Sequence, residues 1–126
     1  MAKRKILSVG QCAADHATLA RFFTTQYKAD LVPAQTTDEA LERLRQETFD
    51  LVLVNRLLDA DGSPGLDLIR AMQAEAALRP VPVMLVSNYE EAQAQAVTAG
   101  ARPGFGKAGL TDPATRERLR PFLGEG

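Results

Sequence analysis

The chain has 126 residues, of which 45% are hydrophobic and 25% are charged, and its formal net charge is −1. These values are typical of one ordinary globular domain and argue against a general attraction to nucleic acid or anionic lipid. No apolar run approaches the roughly 20 residues that span a bilayer, and a single cysteine excludes an internal disulfide bond. We expect a cytoplasmic protein without a signal peptide, with residues 1–126 in one domain whose core covers about residues 5–123.

Short apolar runs alternate with helical patterns in the first part of the chain. Residues 6–9 predict a buried strand, and residues 15–27 predict a helix with apolar side chains at helical spacing. Residues 31–33 predict a second strand, which belongs at a sheet edge because Pro33 cannot donate a ladder hydrogen bond. Residues 36–39 form a capping-box pattern, which predicts the start of a second helix.

The alternation continues in the middle of the chain. Residues 51–54 are apolar at consecutive positions, which is typical of a central parallel strand covered on both faces. A helix is predicted over residues 64–75 and a fourth strand over residues 81–86. Two overlapping capping boxes follow, and we expect Ser87 to cap a helix that extends to Gly100.

The last segment predicts one more strand and one more helix. Residues 102–107 contain a proline and two glycines, so they predict a short, irregular strand. Asp112 followed by Pro113 marks the start of the final helix. The pattern predicts an α/β, flavodoxin-like (βα)5 fold: a doubly wound parallel five-stranded sheet of order 2-1-3-4-5, with the proline-bearing strands at its edges.

Six segments in this order resemble a response-regulator receiver domain of the CheY-like superfamily: KILSVG, DEALERL, FDLVLVN, GLDLIR, VPVMLVS and AGARPGFGK. The resemblance covers about Lys5 to Phe122. It implies a module of two-component signal transduction and phosphorelay. In such domains an aspartate after the third strand accepts a phosphoryl group, and an acidic pair after the first strand binds magnesium. A Ser or Thr ends the fourth strand, and a lysine ends the fifth.

The site that the resemblance implies is degenerate in this chain. Ser87 and Lys107 match the last two roles, but the phosphoacceptor position is Asn55 and the acidic pair falls on Gly10 and Gln11. An amide is a poor nucleophile, and magnesium usually keeps one or two carboxylates. Gly10, Gln11, Asn55 and Lys107 together carry a formal charge of +1, from three neutral residues and one lysine. We therefore expect no catalytic residue, no bound metal and no cofactor.

Lys107 lacks the carboxylate that usually accompanies it at such a site. A half-buried ammonium group without an acceptor is costly, so we expect Lys107 to donate a hydrogen bond. Asn55 is the first candidate acceptor, with Asp59 or Asp15 next. This bond would hold the domain in one fixed state. The aromatic residue that receivers use as a switch would fall on Gly104.

These observations predict a pseudo-receiver that is not an enzyme and acts by protein–protein interaction, without magnesium-dependent phosphotransfer. By resemblance, the face made of the fourth helix, fifth strand and fifth helix, within residues 88–122, would bind a signalling protein supplied in trans or a second copy in a homodimer. No contact with nucleic acid or with a membrane is expected.

Two alternatives stay open. The first is a receiver regulated by modification of Asp59, Asp61 or Ser63 in the long loop after the third strand. The second is a flavodoxin-like domain that binds a small ligand in a pocket at the strand ends. The loop of residues 10–13 is a poor match to a phosphate-binding loop, and Tyr89 is the one aromatic residue expected nearby.

Overall fold

The computed structural model describes residues 3–125, so Met1, Ala2 and Gly126, which the one-domain prediction includes, lie outside the described residues. The described part alternates five β-strands with five α-helices, and a short 3-10 turn precedes the last helix. The strands are β1 (Lys5–Val9), β2 (Asp30–Ala34), β3 (Leu51–Asn55), β4 (Val83–Val86) and β5 (Arg102–Phe105). The helices are α1 (Ala13–Tyr27), α2 (Thr37–Gln46), α3 (Gly65–Ala74), α4 (Glu90–Ala99) and α5 (Pro113–Leu123), with the 3-10 turn at Lys107–Gly109.

All five strands are parallel and pair in the order β2-β1-β3-β4-β5, which confirms the predicted fold class. The two proline-bearing strands lie at the edges, as Pro33 and Pro103 predict. The pairing of β4 with β5 shifts register between Met84 and Val86. Because parallel strands end at the same edge of a sheet, the residues that follow β1, β3, β4 and β5 converge there.

Two hydrophobic layers cover the sheet, one on each face. The first joins the sheet to α2, α3 and α4, and its fully buried members include Leu7, Val52, Leu68, Ile69 and Met72. The second joins the sheet to α1 and α5, and its members include Ile6, Phe23, Leu53, Met84 and Leu119. Burying one such side chain contributes roughly 1.5–3 kcal/mol. Residues 51–54 of β3 point alternately into these two layers, so all four are apolar.

Two predicted helix starts are confirmed by their caps. Thr36 Oγ1 accepts a hydrogen bond from Glu39 N at 3.1 Å, and Glu39 Oε1 accepts one from Gln35 N at 2.6 Å. Asp112 is the N-cap of α5, and Pro113 is its first residue. The first N–H groups of a helix have no partner within the helix. Thr36 accepts a hydrogen bond from one of them, and Pro113 has no N–H group that would need a partner.

Helix α1 begins at Ala13, two residues before its predicted start at Asp15. The cause is an unexpected cap: Cys12 Sγ accepts a hydrogen bond from Asp15 N at 3.5 Å. Asp15 thus lies in the first turn of the helix, where a carboxylate is favourable beside the helix dipole. Across residues 3–125, none of the helices has the combination of length and apolar character that crossing a bilayer requires.

Candidate functional site

Asn55 lies at the end of β3 and is half-buried, where the sequence predicted it. Its Nδ2 atom donates a hydrogen bond to the carbonyl oxygen of Gly10, which follows β1, at 3.4 Å. This bond joins the carboxyl ends of the two central strands. It also fixes the amide orientation, since the group facing a carbonyl oxygen must be the donor.

Gly10 occupies a backbone position that only glycine adopts readily, with φ of +77°. A Cβ atom there would overlap the side chain of Leu58, which is 1% exposed. Asp59 N donates a hydrogen bond to Gly10 O at 2.9 Å, and this bond holds the loop after β3 against the glycine. The space that the first residue of an acidic pair would need is therefore filled by a leucine.

Gln11, at the second acidic-pair position, is 6% exposed. Neither its Nε2 nor its Oε1 atom has a hydrogen-bond partner among residues 3–125. The side chain is neutral and points into the protein. It brings no carboxylate to the strand ends.

The predicted hydrogen bond between Lys107 and Asn55 is wrong. Lys107 Nζ instead donates to Asp15 Oδ2 at 2.6 Å, and Asp15 was only a later candidate. Asp15 lies in the first turn of α1, and its charged carboxylate is a stronger acceptor for the lysine than the neutral amide of Asn55. The hydrogen bond from Lys107, opposed by desolvation and aided by a bond with the Cys12 thiol, lowers the pKa of Asp15.

The predicted charge of +1 therefore has a counter-charge, since Asp15 adds −1 to the +1 of Lys107. Both side chains are partly exposed, at 31% for Lys107 and 40% for Asp15. The lysine is paired without reaching the residue at position 55. Asp15 belongs to the site, and the sequence motif did not single it out as a principal residue.

The residues present do not fit magnesium. The ion prefers charged oxygen ligands and reaches most protein sites through one or two carboxylates. Gly10 has no side chain, Asn55 and Gln11 are neutral, and the Asp15 carboxylate is held by the Lys107 ammonium group. Within residues 3–125, no three acidic, histidine or cysteine side chains form a group that could hold a metal ion.

Ser87 directly follows β4, but its predicted role as the cap of α4 is wrong. The helix begins at Glu90 with Tyr89 as N-cap and without a side-chain cap. Ser87 Oγ accepts from Tyr89 N at 3.1 Å, which forms a turn ahead of the helix. Asn88 Oδ1 accepts from Ala108 N at 3.2 Å and ties this turn to the loop after Lys107.

A pocket of about 260 Å³ opens at the ends of β3 and β4, and we name it the strand-end pocket. Its lining combines two cationic side chains with neutral ones: Asn55, Arg56, Val86, Ser87, Asn88, Tyr89 and Lys107. The guanidinium carbon of Arg56 lies 5.0 Å from the centroid of the Tyr89 ring. Arg56 belongs to no motif, and it was missed by the sequence analysis.

A larger groove of about 700 Å³ lies between α4, β5 and α5, and we name it the α4–β5–α5 groove. Ser87 and Asn88 line it as well as the strand-end pocket. Gln93 and Arg118 line it too, together with the exposed side chain of Val97. The groove coincides with the face that the resemblance implied for partner binding.

Gln93 and Arg118 hold the backbone of β5 from two helices. Gly104 N donates to Gln93 Oε1 at 3.0 Å, and Arg118 donates to Gly104 O at 2.6 Å. Gln93 Nε2 also donates to the carbonyl oxygen of Leu85 at 2.8 Å and of Ser87 at 3.1 Å. Gly104, at the position of the predicted switch aromatic, is thus a fixed point between α4 and α5.

The loop acids lie on the surface of the connection between β3 and α3. Asp61 Oδ1 accepts from Ser63 N at 3.0 Å and from Ser63 Oγ at 2.7 Å, and these bonds lower the pKa of Asp61. Asp59 is exposed, and its backbone is held by Gly10. Both loop acids are therefore exposed, and they differ in that the Asp61 side chain is bonded within a local turn with Ser63.

Comparisons with known proteins show the fold but no close relative in sequence. No family model matches the chain, and no curated protein matches it by sequence. A provisionally assigned response regulator from Chloroflexus aurantiacus superposes with a TM-score of 0.84 at 17% identity, over 97% of this chain and 98% of that one. The chemotaxis response regulator CheY4 of Vibrio cholerae superposes with a TM-score of 0.71 at 16% identity, over 97% of both chains.

A third similar structure is a response regulator protein from Burkholderia pseudomallei with a phosphorylated aspartic acid, a calcium ion and citrate. It superposes with a TM-score of 0.71 at 24% identity, over 96% of this chain and 66% of that one. All three share the parallel (βα)5 architecture described above. The chain has the fold of response-regulator receiver domains.

Proposed function

We propose that this chain is a receiver-like signalling module that binds another protein and does not carry out magnesium-dependent phosphotransfer. The receiver fold supports a signalling role. One observation carries the expected absence of phosphotransfer: the end of β3 presents the amide of Asn55, which is bonded to the backbone of Gly10. An acyl phosphate requires a carboxylate oxygen as nucleophile at this place.

The surroundings of Asn55 support the same conclusion. In the Burkholderia protein a phosphorylated aspartic acid occurs together with a calcium ion. Here the Leu58 side chain fills the space beside Gly10, and the nearby Asp15 carboxylate is paired with Lys107. A single Asn55→Asp change would restore the nucleophile but not the acidic pair.

The α4–β5–α5 groove is the proposed binding surface. Its floor is fixed, because Gln93 and Arg118 both bond to Gly104. An apolar side chain, Val97, lines it and is 44% exposed, and Glu90 and Arg118 provide charges of opposite sign. A preformed surface that combines exposed apolar and charged groups is suited to a protein interface. The bound protein is a signalling partner or a second copy of this chain.

The strand-end pocket argues against the alternative of a flavin-binding domain. Its volume of about 260 Å³ lies below the roughly 300–1,000 Å³ of pockets for drug-sized ligands. Tyr89 is the single aromatic residue in its described lining, and the Arg56 guanidinium group already stacks on its ring.

Phosphotransfer is tested by intact-mass measurement after incubation with acetyl phosphate and magnesium. We expect no added phosphoryl group on the wild type, and none on Asn55→Asp, because Gly10 and Gln11 supply no carboxylate. A phosphorylated wild-type protein would contradict the proposal. Peptide mapping to Asp59, Asp61 or Ser63 would then support the alternative of modification in the loop.

The binding surface is tested with two substitutions that add the same charge. Val97→Glu places a carboxylate in the groove, and Ala17→Glu places one on exposed α1, away from it. Proteins captured from the native cell extract, and self-association measured by sedimentation, should be lost with Val97→Glu and kept with Ala17→Glu. Equal behaviour of the two variants would exclude this face as the interface.

A further inference from the structure

Another pocket lies at the opposite end of the sheet from the strand-end pocket, where β4 and β5 begin, and we name it the amino-end pocket. Its volume is about 330 Å³. Its lining comes from the connection between α3 and β4, from the end of α4 and from Arg102, the first residue of β5. Among the described residues, it shares none with the strand-end pocket and only Val97 with the α4–β5–α5 groove. It is therefore a separate compartment.

The amino-end pocket carries two positive charges, those of Arg79 and Arg102. Its described lining contains no carboxylate. Neither guanidinium group forms an ion pair with any residue in the range 3–125. Both side chains are exposed, so water and salt weaken their field but leave them accessible. The lining therefore favours an anionic ligand that brings its own hydrogen-bond acceptors.

The end of α4 also lines the pocket, and a helix C-terminus by itself disfavours an anion. Here two of its last carbonyl groups are occupied. Gly100 N donates to Val97 O at 3.0 Å, and Ala101 N donates to Ala96 O at 2.9 Å. Gly100 permits this cap because its φ is +119°. The two arginines carry full charges, which outweigh the partial charge that the helix end retains.

Arg79 is held in a turn that is already formed. Leu78 N and Arg79 N both donate to Glu75 O, at 2.9 Å and 3.0 Å. Prolines on both sides of Val81 restrict the backbone further. The Nε atom of Arg79 donates to Gln73 O at 2.9 Å, which orients the guanidinium group and leaves the N–H groups of its two terminal nitrogens as donors. An arginine that is already oriented loses less conformational entropy when it binds a ligand.

Arg102 is oriented by stacking. Its guanidinium carbon lies over the Phe122 ring, 5.7 Å from the centroid, and Phe122 is a half-buried residue of α5. Stacking restricts the side chain and leaves the N–H groups at the guanidinium edge free to donate. Both arginines thus present the planar pair of N–H groups that binds a carboxylate through two parallel hydrogen bonds.

The remaining lining indicates what joins the two anionic groups of a ligand. The arginines come from different elements, and apolar side chains, among them Val81 and Val97, line the same pocket. The volume lies near the lower limit of the roughly 300–1,000 Å³ of small-molecule sites. We propose that the amino-end pocket binds a small dicarboxylate, one carboxylate on each arginine and a short hydrocarbon chain between them, noncovalently and without a metal ion. This inference goes beyond the proposed function and depends neither on phosphotransfer nor on a protein partner.

The test is an NMR titration of the ¹⁵N-labelled protein with succinate. Sodium chloride keeps the ionic strength constant, so that general screening does not change. We expect saturating shifts of the amide signals of Gln73, Val81, Ala101 and Arg102. Acetate should bind at least about tenfold more weakly, because one carboxylate reaches only one arginine.

A second titration distinguishes two sources of paired carboxylates. A blocked peptide of two glutamates presents the same groups on a protein-like backbone. Tighter binding of succinate identifies a free dicarboxylate as the ligand class. Tighter binding of the peptide would overturn that assignment in favour of an acidic protein segment.

Matched variants decide whether the pocket itself is responsible. Arg79→Gln and Arg102→Gln should each weaken succinate binding about tenfold, because a charged, two-point contact is lost. Arg70→Gln removes the same charge from an exposed position of α3 outside the pocket and should change the affinity less than about twofold. Arg102→Lys keeps the charge but not the planar pair of donors and should lie between them.

Shifts that do not saturate would overturn the inference, as would equal affinities for succinate and acetate. Equal weakening in Arg102→Gln and Arg70→Gln would overturn it too, since the effect would then be one of general charge. The failure of succinate to bind would leave the proposed function untouched, because that function rests on Asn55 and on the α4–β5–α5 groove. Conversely, a phosphorylated wild-type protein would contradict the proposed function without affecting this titration.

Discussion

Lys107, which follows β5, donates a hydrogen bond to Asp15 in the first turn of α1 at 2.6 Å. The two residues are separated by 92 positions in the sequence. The bond links the end of the sheet to a helix on the face that α1 and α5 cover. It gives the lysine a partner that does not involve the residue at the end of β3.

The pair makes stability depend on pH on the acid side. The hydrogen bond from Lys107 lowers the pKa of Asp15 in the folded protein below its unfolded value of about 3.8. Its contribution is therefore fully present above the unfolded pKa and is lost as the pH falls through the folded pKa. Urea unfolding between neutral pH and about pH 3 should show a smaller acid-side decline for Asp15→Asn than for the wild type.

A double-mutant cycle with Lys107→Met measures the strength of this pair. Both side chains are partly exposed, so we expect a coupling of about 0.5 kcal/mol that decreases with added salt. A coupling of zero at low salt would show that the hydrogen bond contributes nothing to stability. A coupling that grows with salt would contradict its electrostatic origin.

Gln93 should be more important for stability than other polar residues of α4. Gln93→Ala removes bonds to the carbonyl oxygens of Leu85 and Ser87 and leaves the buried N–H of Gly104 without its acceptor. We expect a loss of about 2–3 kcal/mol in the free energy of unfolding, because a buried donor is left unsatisfied. Urea unfolding gives this value.

Gln95→Ala is the matched control for that measurement. Gln95 lies on the same helix and is exposed, so its replacement should change the free energy of unfolding by less than about 0.5 kcal/mol. Hydrogen exchange at the Gly104 amide should accelerate only in Gln93→Ala. Similar stability losses in both variants would refute the special role of Gln93.

Gly10→Ala and Gly62→Ala separate backbone strain from steric overlap. Both glycines have positive φ, +77° and +71°, so an added Cβ costs each about 1–2 kcal/mol in conformational strain. At Gly62 the Cβ meets open space, whereas at Gly10 it overlaps Leu58. Gly10→Ala should therefore be the more destabilising by about 1–3 kcal/mol in thermal or urea unfolding.

Removing the overlapping side chain tests this explanation. In a Leu58→Ala background, the excess cost of Gly10→Ala over Gly62→Ala should decrease but not vanish, because the Leu58 Cα and Cβ positions lie 2.9 Å and 3.0 Å from the added Cβ atom and remain in alanine. An excess cost that is unchanged without the leucine would show that the outer part of this side chain is not its cause.

Removal of two buried hydroxyl groups, one from Ser8 and one from Thr115, should change the free energy of unfolding in opposite directions. Ser8 Oγ is buried in β1 without a hydrogen-bond partner among the described residues, whereas Thr115 Oγ1 donates to Gly109 O at 2.6 Å. Ser8→Ala should be neutral or stabilising by up to about 1 kcal/mol, and Thr115→Val should destabilise by about 1 kcal/mol. Chemical denaturation of both variants measures the difference. A clear destabilisation by Ser8→Ala would show that this hydroxyl is satisfied in solution.

Much of the site was predictable because of the sheet geometry. Consecutive apolar residues identify central parallel strands, and the ends of parallel strands share one edge. Asn55, Ser87 and Lys107 were therefore placed at their strand ends correctly. Gly10 was also placed correctly, but its close contact with Leu58 depends on how the loop after β3 folds back, and no local pattern contains that information.

The errors arose where one side chain had several competing partners. Ser87 and Asn88 both match a capping box, but Ser87 forms a turn with Tyr89 and Asn88 bonds to Ala108, across the sheet end. The predicted Lys107–Asn55 pairing was wrong because a charged carboxylate, that of Asp15 in the first turn of α1, lies within hydrogen-bond distance of the lysine. Gln93 gave no signal, since a glutamine in an alanine-rich helix resembles any solvated residue.

Ser87 and Asn88 form a thin partition, since each contributes to the lining of both the strand-end pocket and the α4–β5–α5 groove. A ligand that displaces either side chain in one compartment necessarily reshapes the other. Thermodynamic linkage makes such an effect reciprocal, so occupancy of the small compartment and of the large one would alter each other's affinity by the same factor. Two residues would thus be enough to couple the occupancy of the two compartments.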